Sequence, residues 1–152
     1  MYSMERTFVM VKPDAFQRGL TGEIIDRIDS RGLKITAMKL ITASQEQGEA
    51  HYAEHEDKPF YEDLVEFITG GPSVPMAVEG EDAISIVRDM IGDTDPSAAE
   101  PGTIRGDFAV DIGRNCVHAA DSPESAEREL DIYFDDTEIE DYEKLDAKWV
   151  YE

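Results

Sequence analysis

Short blocks of hydrophobic and polar residues follow one another along the chain, and their spacing predicts both strands and helices. Residues 7–11 are a continuous apolar run that predicts a buried strand. This strand should end at Pro13, because proline cannot donate a ladder hydrogen bond. Residues 74–78 alternate as a strand in which Pro75 indicates an edge position or a bulge. Further strands are predicted at residues 33–41 and 116–118.

Helices are predicted where apolar residues recur every three or four positions near a capping residue. Ser44 and Gln47 have the spacing of a capping box, which predicts a helix through about residue 54. Thr21 is predicted to cap a helix that stops before Gly32, and Ser122 to cap the last clear helix. Apolar stripes predict two more helices, at residues 60–68 and 83–91.

A segment rich in glycine, proline and aspartate runs from residue 92 to about residue 115 and is predicted to be a long loop. Loops of that length in a compact domain are usually functional. No internal repeat or linker is visible, so residues 1–152 are predicted to form a single domain of the α+β class. The acidic tail from Tyr133 ends in Trp149-Val150-Tyr151-Glu152, an aromatic-rich terminus that predicts docking.

The charge of the chain restricts its partners. With 14 Lys+Arg against 35 Asp+Glu, the formal net charge is −21, which disfavours nucleic acids and anionic membranes as partners. Hydrophobic residues still make up 41%, so the composition is that of a folded protein. The acidic excess without an EF-hand loop favours adaptation to high salt, where screening weakens self-repulsion.

Cysteine usage and the chain start predict a cytoplasmic protein. Cys116 is the single cysteine, which excludes an intrachain disulfide and fits a reducing compartment. The segment Met1-Tyr2-Ser3-Met4-Glu5 lacks the features of a signal peptide, and no apolar run is long enough to span a membrane. No zinc motif is present.

The strongest candidate chemistry lies in residues 102–107 and 113–118. Arg105, Arg114 and Asn115 precede His118 there, among glycines that let a backbone approach a ligand closely. Arginine donors suit phosphate, and histidine can serve as a nucleophile or acid/base near neutral pH. A lone histidine is normally a satisfied core residue, but these neighbours favour a functional role in phosphate chemistry.

For several other candidate site residues, the sequence allows both a functional and a purely structural interpretation. Glu129 falls on a partly apolar helix stripe, where it is either an inward partner of an imidazole or a solvated charge. His51 and His55 have metal-ligand spacing, but without a third ligand a polar helix face is the favoured interpretation. Glu124 and Arg128 are predicted to form an i,i+4 surface pair.

Lys12, Arg88 and Phe60 are also ambiguous. A strand-end lysine is often solvated, an arginine at a stripe edge can cover the core with its stem, and an aromatic at a helix start is by default core. Each could instead contact a nucleotide. No P-loop or dinucleotide fingerprint is present, so a nucleotide site here would be of another kind.

Taken together, these residues resemble the nucleoside diphosphate kinase family over nearly the full chain. Val11-Lys12-Pro13-Asp14 is one of the matching stretches. The most specific are Pro101-Gly102-Thr103-Ile104-Arg105-Gly106-Asp107 and Gly113-Arg114-Asn115 followed by His118. With the acidic composition, the chain looks like a member from a salt-loving archaeon. The resemblance implies a ferredoxin-like fold, four antiparallel strands with helices on one side.

The resemblance further implies Mg²⁺-dependent transfer of the terminal phosphate from a nucleoside triphosphate to a diphosphate, through a phosphohistidine at His118. Glu129 would fix the histidine tautomer, Tyr52 would help position the ring, and Lys12 would contact the transferred phosphate and the sugar hydroxyl. The remaining implied contacts are Arg88, Thr94 and Arg105 to phosphates, Asn115 to the ribose, Phe60 stacked on the base beside Leu64 and Ile112, and Asp121 to the metal through water. The rival interpretation is a nucleotide-binding regulatory module without catalysis.

Some positions depart from the family pattern. Ala120 replaces a serine whose hydroxyl helps to hold the glutamate, so Glu129 is expected to be less rigid. Ala119 replaces a glycine, and Ala15 replaces a glycine whose turn, if it needs positive φ, would be strained. The family also implies a homo-oligomer, here a hexamer built from dimers, with a dimer or tetramer as the alternative.

Overall fold

An antiparallel sheet forms the centre of the fold, with strand order β2-β4-β1-β5. The structure is a computed structural model that describes residues 4–152, so part of the N-terminal segment predicted not to be a signal peptide lies outside the described residues. The strands are β1 (Glu5–Val11), β2 (Lys34–Met38), β3 (Ile41–Thr42), β4 (Pro72–Gly80) and β5 (Val117–Ala119). The predicted four-stranded sheet is confirmed, with β3 as a short additional strand paired to β4.

Helices cover both faces of this sheet, so the expectation of helices on one side is wrong. The helices are α1 (Pro13–Gln17), α2 (Thr21–Ser30), α3 (Gln45–His51), α4 (Tyr61–Thr69), α5 (Ala83–Ile91), α6 (Ile104–Phe108), α7 (Pro123–Tyr133) and α8 (Ala147–Val150). Val9 and Val11 pack on the side of α2 and α5, whereas Phe8 and Met10 pack on the side of α4 and α7. Successive strand residues point to opposite faces, so the unbroken apolar run in β1 requires cover on both.

The predicted strand at residues 33–41 is divided into β2 and β3, and Pro75 explains the interruption. β4 lies between β1 and β2, so Pro75 is in a central strand and the predicted edge position is wrong. Its carbonyl accepts a hydrogen bond from the Lys39 N–H (3.2 Å), on the side where the chain passes from β2 to β3. The missing N–H of proline therefore faces a gap in the ladder.

Two capping predictions are confirmed and one is wrong. Ser44 and Gln47 form the capping box, and the Ser122 hydroxyl accepts a hydrogen bond from the Ser125 N–H. The helix after Ser44 ends at His51, before a 3₁₀ turn at Ala53–His55. Thr21 is instead the first residue of α2, and no side chain caps that helix.

The predicted loop at residues 92–115 contains a helix that the sequence pattern did not reveal. α6 begins after Thr103, whose hydroxyl accepts a hydrogen bond from the Gly106 N–H (3.0 Å). A 3₁₀ turn, Pro96–Ala98, precedes it. α6 spans five residues, which is too short to give a readable apolar period. Its consequence for the site is that Arg105 is held on a helix.

The C-terminal tail docks in part, as predicted. The Tyr151 hydroxyl accepts a hydrogen bond from the Glu81 N–H (3.0 Å), while Trp149 is 81% exposed. Ala15 lies in α1 and has no positive φ, so the expected strain at that position is absent. Within residues 4–152, no helix has the length and apolar character needed to cross a bilayer.

Candidate active site

One pocket beside the C-terminal ends of β1 and α3 is lined by every residue that the family resemblance implied for the site. These residues are Lys12, Tyr52, Phe60, Leu64, Arg88, Thr94, Arg105, Ile112, Asn115, His118, Asp121 and Glu129. They come from strand ends, four helices and the segment between α5 and β5, so only the tertiary fold brings them together. The pocket therefore combines cations, carboxylates, an imidazole and an apolar rim.

His118 and Glu129 form the central pair of this pocket. His118 lies in β5, which pairs with β1, and its side chain is 28% exposed. Glu129 is 4% exposed on the inner face of α7, and its Oε1 lies 2.8 Å from His118 Nε2. Glu129 is thus an inward partner rather than a solvated charge. An ionised carboxylate only accepts, so Nε2 carries the proton and Nδ1 keeps its lone pair.

The surroundings of this pair favour a neutral imidazole and an ionised carboxylate at neutral pH. Burial, reinforced by the cationic Lys12, Arg105 and Arg88, lowers the pKa of His118 to about 3. Burial raises the pKa of Glu129 to about 6, which still leaves it mostly ionised at pH 7. A neutral histidine with a fixed tautomer is the state in which imidazole is nucleophilic.

Lys12 links the end of β1 to the segment that precedes β5. Its Nζ donates a hydrogen bond to Asn115 Oδ1 (2.5 Å), and Asn115 Nδ2 donates to the Thr94 carbonyl (3.0 Å). Lys12 is 9% exposed, and burial lowers its pKa to about 8. A cation with one neutral partner in a pocket is well placed to receive an anion.

This lowered pKa predicts that activity is lost on the alkaline side. Because the ammonium of Lys12 titrates near pH 8 rather than at its usual higher value, we expect kcat/KM to fall as pH rises through that region. A pH profile of kcat/KM, which reports the free enzyme, measures this. A profile that stays level far above that pH would contradict the assignment.

Arg105 donates more hydrogen bonds to the protein backbone than Arg88 does. Its guanidinium donates to the carbonyls of Asn115 (3.3 Å), Gly92 (3.0 Å) and Val117 (2.7 Å), and the residue is 4% exposed. Burial lowers its pKa to about 10. Arg88 Nη1 donates to the Ala119 carbonyl (3.2 Å). Arg105 therefore supports the fold of the site besides presenting charge to it.

We expect Arg105→Met to lower stability and Arg88→Met to leave it nearly unchanged. Loss of Arg105 removes a donor from three carbonyls, of which only that of Asn115 keeps a second donor among residues 4–152, the Val117 N–H (2.9 Å). An unsatisfied buried polar group costs about 1–3 kcal/mol. Thermal unfolding of both variants beside the wild type measures the difference. Equal melting temperatures for the two variants would show that Arg105 has no structural role.

The rim of the pocket is apolar. Phe60 caps the start of α4 and is 46% exposed, and Ile112 is 58% exposed. Leu64 lies one turn along α4 from Phe60. Tyr52 lies at the end of α3. Burial, together with the charges of Asp14 and Glu129, raises the pKa of Tyr52 to about 12, so its phenol stays protonated. Exposed apolar side chains beside a charged pocket could pack against a planar ring of a ligand whose charged part enters the pocket.

Arg114 does not join this pocket, so its predicted contribution beside His118 is wrong. Its guanidinium lies 4.2 Å from the centre of the Phe67 ring, in a neighbouring groove. Residues 111 and 114 form an isolated backbone bridge just before Asn115. Glu124 is also not the partner of Arg128: Nη1 of that arginine donates to the Ala50 carbonyl (3.0 Å).

His51 was missed by the sequence reasoning, which placed it on a polar face. It is 3% exposed, its Nδ1 lies 2.9 Å from the Tyr133 hydroxyl, and its ring centre lies 4.5 Å from that of His118. Burial lowers its pKa well below the usual value, so it is neutral. His55 is instead hydrogen-bonded to Lys58 (3.0 Å) and lies beside Phe60. The other buried residue of α3 is Gly48, and a glycine gives no apolar signal of an inner helix face.

The donor set of the pocket limits how a metal ion could be held. No cluster of three or more His, Cys, Asp or Glu side chains in the described chain could hold a metal ion by itself. Asp121 supplies one exposed carboxylate at the pocket. This fits Mg²⁺, which keeps several waters and binds through one or two carboxylates plus substrate phosphates.

The comparisons with known proteins agree along the whole chain. The family model for nucleoside diphosphate kinase matches residues 5–139. Nucleoside diphosphate kinase from Archaeoglobus fulgidus is 59% identical over 149 residues, covering 98% of this chain and 99% of the relative. The enzyme from Natronomonas pharaonis is 55% identical over 153 residues, covering 100% of both chains.

A solved structure gives the same result for the fold. A halophilic nucleoside diphosphate kinase from Halobacterium salinarum, in complex with CDP, has a TM-score of 0.96 at 49% identity, covering 99% of this chain and 100% of that chain. Together with the family match over residues 5–139, this similarity shows that the chain belongs to the nucleoside diphosphate kinase family.

Proposed function

We propose that this chain transfers the terminal phosphate of a nucleoside triphosphate to a nucleoside diphosphate, through a phosphohistidine at His118. The observation that carries the proposal is the hydrogen bond between His118 Nε2 and Glu129 Oε1 (2.8 Å) inside a pocket lined by Lys12, Arg88 and Arg105. A nucleophile, the group that orients it and the cations that receive phosphate therefore share one site.

In the first half-reaction, His118 Nδ1 attacks the terminal phosphorus. An N–P bond forms, the bond from phosphorus to the bridging oxygen breaks, and its electron pair leaves with the nucleoside diphosphate. The phosphorylated ring, still protonated on Nε2, carries positive charge that the Glu129 carboxylate stabilises. In the second half-reaction, a terminal oxygen of another diphosphate attacks the same phosphorus, and Nδ1 recovers its electron pair.

The cations of the pocket supply most of the remaining catalysis. Phosphoryl transfer needs positioning and charge stabilisation more than covalent help from the protein. Lys12 and Arg88 have free donors for the phosphates, whereas Arg105 has three of its five N–H groups engaged by carbonyls. Bound Mg²⁺, held by the nucleotide phosphates and by Asp121 through water, would neutralise charge on the phosphate oxygens.

The rest of the nucleotide is held by less specific contacts. Asn115 and Thr94, already joined by a hydrogen bond, lie where they can receive the ribose and a phosphate, and Tyr52 flanks the histidine. The base stacks on Phe60 between Leu64 and Ile112. Stacking accepts every base, so nucleoside diphosphates of different bases should all serve.

Initial rates test the two-step route. With ATP and a different nucleoside diphosphate varied together, the account predicts parallel double-reciprocal lines, the signature of a ping-pong enzyme. Intersecting lines would mean direct transfer in a ternary complex. Nucleotide binding without any transfer would instead support a regulatory module that lacks catalysis.

The proposal extends to assembly and setting. The chain acts as a cytoplasmic homo-oligomer, a hexamer built from dimers, in high salt. Support comes from the net charge of −21, the similarity to a halophilic kinase, and large apolar side chains left exposed on one chain, such as Val110 (97%) and Leu145 (96%).

Acidic subunits repel each other unless salt screens them, so we expect the oligomer to lose subunits as salt is lowered. Light scattering coupled to size exclusion, from low to multimolar salt, measures the particle mass. A constant mass across that range would contradict the expected salt dependence, and a monomer at every salt concentration would contradict the oligomer.

A further inference from the structure

Cys116 has a backbone conformation that is unusual for its residue type. Its φ is +74°, in the left-handed region, and the residue is fully buried just before β5. Residues other than glycine are strained there and stay so only where their surroundings hold them. Such strain is concentrated at functional sites, and Cys116 lies between Asn115 and the strand that carries His118.

The contacts that hold Cys116 come from the turn after β1. Its N–H donates a hydrogen bond to Asp14 Oδ2 (2.9 Å), and its carbonyl accepts one from the Lys12 N–H (3.0 Å). Arg18 Nη1 lies 3.7 Å from its Sγ. Both backbone polar groups of Cys116 are thus bonded to the segment that carries Lys12.

These two hydrogen bonds fix the position of Lys12, on one side of the pocket, relative to Asn115, on the other side. In the adjoining sheet, β1 and β5 pair with Val11 opposite Val117 and Met10 opposite His118. In addition, Lys12 Nζ donates a hydrogen bond to Asn115 Oδ1 (2.5 Å). A rotation of the backbone at residue 116 would therefore move Asn115 relative to Lys12.

Asp14 also acts on Lys12 through its charge. Its second oxygen, Oδ1, is buried and has no hydrogen-bond partner among residues 4–152. The charged and titratable groups that face Lys12 are Asp14 in α1, Arg105 in α6, Arg114 and Cys116 before β5, His118 in β5 and His51 in α3. Asp14 has the largest effect on Lys12 among the charges and favours the ammonium, which Arg105 and Arg114 oppose.

We propose that Asp14 is a positioning residue of the phosphate-transfer site, holding Cys116 in its left-handed conformation and keeping Lys12 cationic. It is not among the residues that line the His118 pocket, and it acts through those two residues. This role rests on the proposed function of Lys12 and His118.

Asp14→Asn separates the charge from the hydrogen bond, because the amide oxygen can still accept from the Cys116 N–H. We expect near-normal kcat/KM below the alkaline limb of its pH profile, with the limb moved down by roughly one pH unit. The ¹³Cε resonance of Lys12, followed by NMR over the same pH range, should titrate lower by the same amount. Asp63→Asn, an exposed carboxylate lining the neighbouring groove, is the matched control and should move neither.

Asp14→Ala removes both functions. We expect kcat/KM to fall about 10²-fold, the cost of a misplacement on the ångström scale. Adding Cys116→Gly, which is unstrained at positive φ, should recover about tenfold of this loss. Adding Cys116→Ala, which removes the thiol but keeps the strain, should recover none. Circular dichroism of each variant checks that it is folded.

Two results would overturn the inference: an alkaline limb and a Lys12 resonance unmoved in Asp14→Asn, or equal activity of the glycine and alanine double variants. Phosphorylation of the wild type at His118, measured in the same series, distinguishes failure of this inference from failure of the proposed function. A phosphorylated wild type with an unmoved limb overturns only the role of Asp14. A wild type that is never phosphorylated overturns the proposed function and the inference with it.

Discussion

His118→Ala is expected to lose phosphate transfer by roughly 10⁴-fold or more, the scale on which removal of a catalytic nucleophile acts in other enzymes. Within residues 4–152, neither other histidine near the pocket is bonded to a carboxylate: His51 is buried and hydrogen-bonded to Tyr133, and His55 is hydrogen-bonded to Lys58. Lys12 is largely protonated at neutral pH. Nucleotide affinity should change far less, because the rim and the cations remain. A coupled assay of triphosphate formation and equilibrium binding of a diphosphate measure the two effects.

A second histidine provides the control for this variant. His55 lies at the same pocket, 5.7 Å from Phe60 by ring centres, but is not bonded to a carboxylate there. His55→Ala should stay close to wild type. The ring centres of His118 and Phe8 are 6.0 Å apart, so the substitution could change packing. The melting temperature of His118→Ala must therefore be compared with that of the wild type. Near-normal transfer by a folded His118→Ala protein would refute the phosphohistidine route.

Lys12→Met should have the next largest effect, a loss of about 10²–10³-fold in kcat/KM. Methionine keeps the apolar stem of the lysine side chain but removes the charge that meets the transferred phosphate. It also leaves Asn115 Oδ1 without its donor. Because the lost interaction strengthens as the phosphate moves, kcat should fall together with kcat/KM.

Lys39→Met is the matched substitution outside the pocket. Lys39 pairs with Glu138 at 3.0 Å on the surface, and a surface pair of this kind contributes little to stability. This variant should retain wild-type kinetics at the same salt concentration. If Lys12→Met lost no more activity than Lys39→Met, the proposed contact of Lys12 with the phosphate would be wrong.

Much of the architecture could be predicted because the sequence carries local signals for it. The capping box at Ser44 and the N-cap at Ser122 are hydrogen bonds between near neighbours, so their residue spacing is visible in the sequence. The run in β1 also contained the information that both faces are covered, although the family resemblance had suggested helices on one side. Short elements such as α6 left no periodic signal.

The residues that the family resemblance implied for the site line one pocket, but their detailed arrangement was not predictable from the sequence. His51 has an ordinary position at the end of α3, and only the approach of α7 and β5 makes it a buried neighbour of His118. Arg114 stands next to Asn115 in sequence, yet its guanidinium lies over the Phe67 ring in the neighbouring groove. The left-handed backbone of Cys116 had no signal at all, because cysteine rarely adopts it.

The most direct test of the phosphohistidine is the intact mass of the protein after brief incubation with ATP and Mg²⁺ in high salt. The account predicts one added phosphate, absent from His118→Ala, that disappears when a different nucleoside diphosphate is added and the corresponding triphosphate forms. Rapid triphosphate formation by a protein that never gains a phosphate would contradict the covalent route and make the transfer direct.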